Sequence, residues 1–326
     1  RKPNAKNSKK KWFPHNKGGE FRRWYGNNYH VVNWEDGGKE VLGYAAELYG
    51  SPTRTIKNIS YYFKPSVSWS LIGSGVFSAR VNSEGFTFDV AGPAAFPKES
   101  DRNIVAGFLN SNVAYYFIKV LNPTMNFNSG DIARLPFISV NGPDDVVERL
   151  VKLSKNDWNA KEISFEFSVN LLVNNFKSET IKKSWASLKY EMSSLVSEAL
   201  QLEKQNNHRF IQAYGLDGEL NPEVPESQIT LARADREKDC QRLISYVIGC
   251  MMGRYSLDEP GLIYAHAGNV GFEPGRYATF PADADGIVPI TDELWFDDDA
   301  CSRIREFLRA VWGPDTLEEN MAWLAE

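Results

Sequence analysis

The hydrophobic periodicity of the chain changes once, near residue 100, and this change constrains the fold more than any other sequence feature. Before it, four segments rich in aromatic and β-branched residues are bounded by Gly, Pro or Asn: YYFK at 61–64, VSWSLI at 67–72, VFSARV at 76–81 and FTFDVA at 86–91. After it, apolar residues recur at helical spacing from Ile104 to Leu121, where Asn122-Pro123 ends the helix. The sequence therefore predicts an α+β fold with one helix packed against a strand-rich region.

Helical patterns dominate the remaining residues. We predict helices over 144–156, 179–213, 235–253 and 299–312, and a long irregular connection over 260–296. The helix over 179–213 carries a heptad seam, which packs either against neighbouring helices or against a domain outside this chain. The seam residues are Ile181, Trp185, Leu188, Met192, Leu195, Ala199 and Leu202. We accordingly predict a strand-rich domain at 1–143 and a mainly helical domain with an acidic tail at 144–326.

The formal net charge of −5 hides an uneven distribution along the 326 residues. Residues 1–150 carry 19 Lys and Arg against 13 Asp and Glu, whereas residues 151–326 carry 18 against 29. The first 64 residues alone hold 13 basic and 5 acidic side chains, an excess that attracts polyanions. Aromatic side chains interleave these cations, a combination typical of nucleic-acid contact but also of aromatic core strands behind a basic arm.

Other features favour a cytoplasmic protein without a membrane partner. No apolar run approaches the roughly 18 residues of a membrane helix, and the start, RKPNAKNSKKKWF, does not resemble a signal peptide. The three cysteines, Cys240, Cys250 and Cys301, are odd in number and widely spaced, which predicts buried free thiols in a reducing compartment.

No catalytic constellation emerges from the spacing of reactive residues. The four histidines lie far apart and none has a Cys or carboxylate at metal-ligand spacing. Gly73-Ser74-Gly75 lacks the strand-to-helix context of a phosphate-binding loop. We therefore predict no catalytic, cofactor-binding or metal-binding residue in this chain.

Several long stretches carry a family resemblance. They include KWFPHNKGGEFRRWYGNNYHVVNW at 11–34, ISYYFKPSVSWSLIGSGVFSARV at 59–81, GFLNSNVAYYFIKVLNPTMNFNSGDIARLPF at 107–137 and QNNHRFIQAYGLDGELNPEVP at 205–225. Together they resemble the carboxy-terminal region of the PglX family, the adenine-specific DNA methyltransferases of BREX phage-defence systems. The stretch at 107–137 is also similar to target recognition domains of type I and fused type II restriction-modification enzymes.

The resemblance implies a module that recognises a sequence in double-stranded DNA, in an enzyme that transfers methyl groups from S-adenosylmethionine to adenine N6. The family's glycine-rich cofactor loop and Asn-Pro-Pro-Tyr motif are both missing, since Asn122-Pro123-Thr124 lacks the second proline and the aromatic residue. We therefore expect a carboxy-terminal fragment, inactive alone, whose missing half binds S-adenosylmethionine.

The resemblance also implies roles for individual residues. Cations near the start of the chain are expected to contact DNA phosphates: Lys9, Lys10, Lys11, Lys17, Arg22, Arg23 and Lys64. Small polar or basic side chains in the strand-rich region and the loop after 121 are expected to contact bases or a groove: Ser68, Ser70, Ser74, Arg80, Asn126 and Asn128.

Two alternatives stay open at this stage. The acidic helices and the heptad seam also suit a protein-interaction module that docks other defence-complex components, and a complete enzyme with an unrecognised site is a third interpretation. A surface that attracts phosphates is further expected to attract an acidic DNA-mimic protein, such as a phage inhibitor.

Overall fold

The computed structural model describes residues 10–73, 75–140, 145–266, 268, 270–293 and 295–326. Within these ranges the fold is α+β, as the sequence predicts. Its strands are β1 Trp12–Asn16, β2 His30–Asn33, β3 Ser66–Trp69, β4 Ala79–Asn82, β5 Thr87–Phe88 and β6 Ala94–Ala95. Its helices are α1 Lys39–Tyr49, α2 Arg102–Leu109, α3 Asn112–Leu121, α4 Ser129–Ile132, α5 Asp145–Asn159, α6 Ile181–Ala213, α7 Arg236–Met251, α8 Ala300–Trp312 and α9 Leu317–Ala325.

The strands form two small sheets of three. In the first, β1 lies between antiparallel β2 and parallel β5. Phe13 of β1 and the buried Trp34 form the centre of a small apolar cluster beneath α1. In the second, β3 lies between antiparallel β4 and β6, and every residue of β3 and β4 is buried. A strand in that position has no solvated face, which matters for its serines.

The outer edge of β4 is closed by side-chain and backbone groups from elsewhere. The Trp24 N–H donates to the Ala79 carbonyl at 2.8 Å, and the Trp24 carbonyl accepts from the Val81 N–H at 2.8 Å. The Asn110 side chain donates to and accepts from Ala79 at 3.0 and 2.9 Å. These bonds leave no free strand edge at this position.

The segment 61–64 is not the strand that its composition predicts. A 3-10 turn occupies Ile59–Tyr61, and Phe63 has a φ of 69°, in the left-handed region that an extended strand excludes. The Phe63 N–H and carbonyl bond instead to Phe86 and Gly85 at 2.8 and 3.0 Å. Aromatic content predicted a strand here, but Tyr61 and Lys64 are exposed and Tyr62 and Phe63 are only half-buried.

The helix predicted up to residue 121 is two helices. α2 ends at Leu109, and the Ser111 hydroxyl then accepts from the Ala114 N–H at 3.2 Å as the N-cap of α3. α2 contacts both β3 and β4, which confirms the predicted packing of a helix on the sheet. The break at Asn110-Ser111 frees the amide that bonds β4.

The chain divides into two compact units, described separately. The first comprises the described residues of Arg1–Trp158 with Val196–Leu231, and the second comprises those of Asn159–Leu195 with Ala232–Glu326. This division differs from the predicted single boundary at 143/144. The second half of α6 and most of α5 belong to the first unit, because buried ion pairs tie them to residues near Arg22.

The core of the second unit contains the amino-terminal part of the heptad seam. Ile181 and Leu188 are buried there, and Trp185 and Met192 pack against the same cluster with α7, α8 and α9. This part of the seam therefore packs against neighbouring helices of this chain. The predicted irregular connection over 260–296 holds, in its described residues, one 3-10 turn at Pro274–Arg276.

Among the cysteines, Cys250 is buried, Cys240 is half-buried and Cys301 is exposed, and all three are free thiols. The prediction of burial is thus wrong for Cys301. In the described part of the chain no single helix has the length and apolar composition to cross a membrane. Glu99–Leu109 and Asn112–Leu121 reach that length and composition only as a pair, across a bend of 72°.

Candidate nucleic-acid interface

The loop Asn122–Asn128 is held rigid by its own polar side chains. The Asn122 amide nitrogen donates to Asp131 Oδ2 at 2.7 Å and to the Asn126 carbonyl at 3.1 Å. The Asn122 amide oxygen accepts from the backbone N–H and the hydroxyl of Thr124 at 3.1 and 2.6 Å. A Pro at position 123 favours this kind of turn, because it fixes φ and donates no hydrogen bond. The side chain of Asn122 is thus fully engaged within the loop.

Backbone bonds fix the same loop to the chain that continues from β3. The Phe127 N–H donates to the Leu71 carbonyl at 2.7 Å, and the Gly73 N–H donates to the Met125 carbonyl at 3.1 Å. The Trp69 indole N–H donates to the Phe127 carbonyl at 2.8 Å, and the Phe127 side chain is buried. The exposed side chains of Ile72 and Met125 flank this short pairing. The loop is therefore presented on a rigid support.

Asn126 and Asn128, both predicted to contact bases, are exposed on this loop. The Asn128 amide donates to Asp131 Oδ2 at 3.2 Å. Hydrogen bonds from the side chains of Asn122 and Asn128 lower the pKa of Asp131, with a smaller contribution from the charge of Arg134. A carboxylate that stays ionised in this way keeps the amides of Asn122 and Asn128 oriented. The predicted base-contacting role of Asn126 and Asn128 fits their placement and stays a prediction.

A cleft of about 780 Å³ lies beside the loop in the first unit. Asn128 and Ser129 form part of its wall, and Lys57, Asn58 and Tyr61 form another part. Its remaining lining is largely aromatic or aliphatic and includes Trp34, Tyr62, Phe88, Val90 and Phe96. The volume lies within the range of roughly 300–1,000 Å³ that is usual for small-molecule sites.

A His–Asp pair supplies the polar side of this cleft. His15 Nε2 lies 3.5 Å from Asp89 Oδ2, and His15 Nδ1 lies 2.9 Å from the Thr87 hydroxyl. Burial acts to raise the pKa of Asp89, but hydrogen bonds from His15 and from the amides of Ala91 and Gly92 outweigh it, and the net pKa is lowered. The carboxylate therefore stays ionised and oriented.

The structure leaves several of the predicted phosphate contacts on the surface. Lys10, Lys11, Lys17 and Lys64 are exposed, and the Lys64 ammonium lies 4.8 Å from the centre of the Tyr61 ring, at the cleft. Lys64, Lys57 and Asn128 are thereby brought to one region. Lys9 and Ser74 lie outside the described residues.

Arg22 and Arg23 are buried, and their placement does not fit contact with phosphates. Arg22 donates to the carbonyls of Tyr25, Ser154 and Thr230 at 2.7–3.1 Å and to the Asp157 carboxylate at 2.7 Å. Gly26 permits this arrangement, since a Cβ there would lie 2.2 Å from the Arg22 Nε. Arg22 instead links a segment near the amino terminus to residues more than 130 positions away.

Arg23 forms the second half of this internal network. Its guanidinium pairs with the buried Glu203 carboxylate and donates to Gln228 Oε1 at 3.1 Å. The Trp24 indole N–H donates to the other oxygen of Glu203 at 2.8 Å. Two adjacent arginines in a basic segment predicted a surface patch. Most of their hydrogen-bond acceptors lie more than 130 positions along the sequence, so local spacing could not predict their burial.

Arg80 and Ser68 are also internal, contrary to their predicted contact with bases. Both are fully buried, and Ser68 accepts from the Asn82 amide at 2.7 Å. Burial, together with the charge of Arg22, lowers the pKa of Arg80 to about 10. Ser70 is half-buried, and its hydroxyl donates to the Gly19 carbonyl at 2.8 Å. Ser68 is buried because β3 is a central strand covered on both faces.

Sequence reasoning missed Lys57, Asn58, Tyr61 and His15 as possible contributors to this region. Lys57 and Asn58 precede the segment 61–64 that composition predicts as a strand, and Tyr61 is its first residue. Their only signal was a Lys-Asn pair ahead of two tyrosines. Asp131 was missed because its role is to orient amides rather than to contact a ligand.

The Asn122 side chain is not available to grip an adenine. Asn122, the one residue that resembles the start of an adenine-gripping motif, has its amide engaged by Thr124 and Asp131. Within the described ranges, no group of three or more His, Cys, Asp or Glu is placed to hold a metal ion.

The chain is similar to two adenine-specific methyltransferases. The chain is 37% identical over 339 aligned residues to the adenine-specific methyltransferase BrxX of Escherichia coli O9:H4 (strain HS). It is 35% identical over 326 residues to the adenine-specific methyltransferase PglX of Lacticaseibacillus casei (strain Zhang). The resemblance to the PglX family is confirmed. Both alignments cover 97% of this chain, and the chain spans only 27% of the length of each relative. No family model matches the chain.

Proposed function

We propose that this chain is the DNA target-recognition portion of an adenine-specific DNA methyltransferase that acts in bacterial phage defence. The rest of such a protein would bind S-adenosylmethionine and transfer the methyl group to adenine N6. The observation that carries the proposal is the Asn122–Asn128 loop, which is bonded to the chain after β3 and exposes Asn126 and Asn128, with the Asn128 amide held by Asp131.

The chemistry of the loop suits the reading of base edges. An Asn side chain can donate to and accept from one adenine in the major groove, a pairing that discriminates against other bases by about 1–3 kcal/mol. Asn126 and Asn128 stand two residues apart and are exposed. The exposed lysines Lys11, Lys17 and Lys64 would hold the duplex by its phosphates, which fixes register without carrying sequence information.

Selection from a randomised duplex pool tests this division of roles. We expect the chain to enrich a defined sequence. Asn126→Ala or Asn128→Ala should relax the preference at one or two positions, because each removes a base-edge contact. The double variant Lys11→Ala, Lys17→Ala should weaken binding to all sequences alike, because phosphate contacts are the same at every site.

Asn175→Ala is the matched control, since it removes an exposed amide of the second unit. It should leave both the consensus and the affinity unchanged. An unenriched pool, or an unchanged consensus in both loop variants, would contradict the proposal.

A second candidate function is a protein-interaction module for other defence components. The part of the heptad seam that lies in the second unit no longer supports it, because that unit's own core covers those residues. Support comes instead from the second unit's surface, where Trp295 and Phe296 are 73% and 49% exposed beside Asp297. A pull-down from nuclease-treated extract would favour this function if the same partners are recovered with the native chain and lost with Trp295→Ala.

Binding of an acidic DNA-mimic protein stays a prediction of the DNA-binding proposal. Such a protein would meet the same exposed lysines as a duplex. Competition between the mimic and duplex DNA is the expected result, and simultaneous binding of both would count against a shared surface.

A further inference from the structure

The cleft beside the Asn122–Asn128 loop has a continuous aromatic wall that the proposed reading of base edges does not use. The rings of Tyr61 and Phe96 lie 4.8 Å apart, those of Phe96 and Phe88 lie 5.3 Å apart, and those of Phe88 and Tyr62 lie 5.1 Å apart. Tyr61 is 43% exposed, although an aromatic ring of this size is stabilised by burial. The rings are tilted against one another by 42–71°, so the face on which a planar ligand can stack is that of the exposed Tyr61 ring.

Polar groups stand around this wall in positions that suit a nucleotide. The Asn128 and Asn58 amides and the Asp89 carboxylate can bond to the donors and acceptors of a base edge. Lys57 lines the cleft, and Lys64 sits over the Tyr61 ring at its margin. Two cations beside an aromatic wall are the combination with which proteins hold single nucleotides by stacking and by phosphate contact.

The cleft and the loop also share a residue. Asn128 belongs to the loop that Asp131 orients, and it lines the cleft as well. A duplex whose base edges meet Asn126 would therefore pass the mouth of the cleft.

We propose that this aromatic cleft receives one unstacked nucleobase of the DNA that the loop binds, with the neighbouring phosphate between Lys57 and Lys64. The base stacks on the exposed Tyr61 ring, beside Phe96 and Phe88, and its edge bonds to Asn58, Asn128 or Asp89. The inference rests on the proposed DNA-binding function and adds to it a preference for DNA in which one base has left the stack. An unpaired base enters at lower cost because no pairing has to be broken.

Two duplexes of identical sequence test the inference, one fully paired and one with a single bulged adenine. Stacking of one base on an aromatic side chain strengthens binding, so the chain should bind the bulged duplex about tenfold more tightly than the fully paired one. Tyr61→Ala should reduce this affinity ratio to about one, whereas Tyr61→Phe should keep it, because the ring is retained. Tyr44→Ala, at a 64% exposed tyrosine that does not line the cleft, should leave the ratio unchanged.

Equal affinity of the native chain for the two duplexes, or an undiminished ratio in Tyr61→Ala, would overturn the inference. Circular dichroism of each variant shows whether a changed affinity ratio reflects the cleft or misfolding, and retained binding by Tyr61→Phe provides the same check.

Failure of the proposed function would give a different result. In that case neither duplex binds, and a single-stranded oligonucleotide that binds in a Tyr61-dependent way would preserve the cleft as a nucleotide site. If neither duplex nor the single strand binds, both proposals are overturned.

Discussion

At the scale of single residues, the adjacent Arg22 and Arg23 show how a basic motif becomes part of a core. The guanidiniums of both are surrounded by carbonyl and carboxylate oxygens of the first unit, and Glu203 serves Arg23 and Trp24 together. A buried ion pair of this kind contributes little net stability, but removal of one partner leaves an uncompensated buried charge.

Glu203→Gln tests this interpretation of Arg23. The substitution removes the negative charge while the side chain keeps its size, and we expect the free energy of unfolding to fall by about 3–5 kcal/mol. Urea denaturation measures the change. Glu198→Gln is the control, because the Glu198–Arg149 pair is partly exposed and such pairs contribute about 0–1 kcal/mol. Similar losses in the two variants would show that Arg23 is not a buried structural cation.

Asp131 predicts how the order of the loop depends on pH. Its pKa is lower in the folded chain than the ordinary value of 3.8, so the folded state favours the ionised carboxylate. Its contribution is therefore fully present above that ordinary value and is lost as the pH falls through the folded pKa. The protection factors of the loop amides against hydrogen exchange should fall in Asp131→Asn at pH 7 to the values that the native chain reaches only in acid. Equal protection of the native chain and the variant at pH 7 would refute this role.

At the scale of secondary-structure elements, periodicity predicted the long helices well and the strands less well. α6 extends over Ile181–Ala213 against a predicted 179–213, because seven seam positions repeat without interruption. α1 was missed, since it contains Gly43 and buries only Ala45 among its eleven residues, which leaves a weak pattern. The strands of two to five residues are set by pairing with distant segments, and local sequence does not record that pairing.

The heptad seam gives a prediction at this scale. Leu188 is buried in the core of the second unit, so Leu188→Ala should lower the free energy of unfolding by about 2–5 kcal/mol. Tyr190 lies on the same helix and is 78% exposed, so Tyr190→Ala should change it by no more than about 0.5 kcal/mol. Thermal or chemical denaturation distinguishes the two. If the seam packed instead against a protein outside this chain, Leu188→Ala would lower the free energy of unfolding only slightly.

The candidate site was predictable only in part, for reasons that these residues make clear. Asn126, Asn128 and Lys64 were found because polar residues in a turn and a lysine beside tyrosines remain exposed in most contexts. Arg22, Arg80 and Ser68 were misassigned because charge and polarity at one position do not reveal a buried acceptor elsewhere. The cleft is formed by turns and strands that are distant in sequence, and no sequence motif predicts it.

At the scale of the whole molecule, the uneven charge acquires a more specific meaning. Of the 13 cations in the first 64 residues, four precede residue 10 and two, Arg22 and Arg23, are buried; the other seven are exposed in the described structure. The basic excess available to a polyanion is therefore carried by lysines and Arg54 rather than by the paired arginines. Arg22 and Arg23 thus belong to the core of the first unit, and the exposed cations near them in sequence are mainly lysines.

The salt dependence of duplex binding shows whether exposed lysines of this chain hold DNA by its phosphates. With about four phosphate contacts, the affinity of the chain should fall roughly a hundredfold between 50 and 200 mM salt. Lys11→Ala, Lys17→Ala and Lys64→Ala should each reduce the logarithmic slope by about one unit. Lys182→Ala, at an exposed lysine of the second unit, should leave the slope unchanged. Binding that ignores salt, or a slope that none of the three lysine variants alters, would contradict the claim that this chain holds DNA.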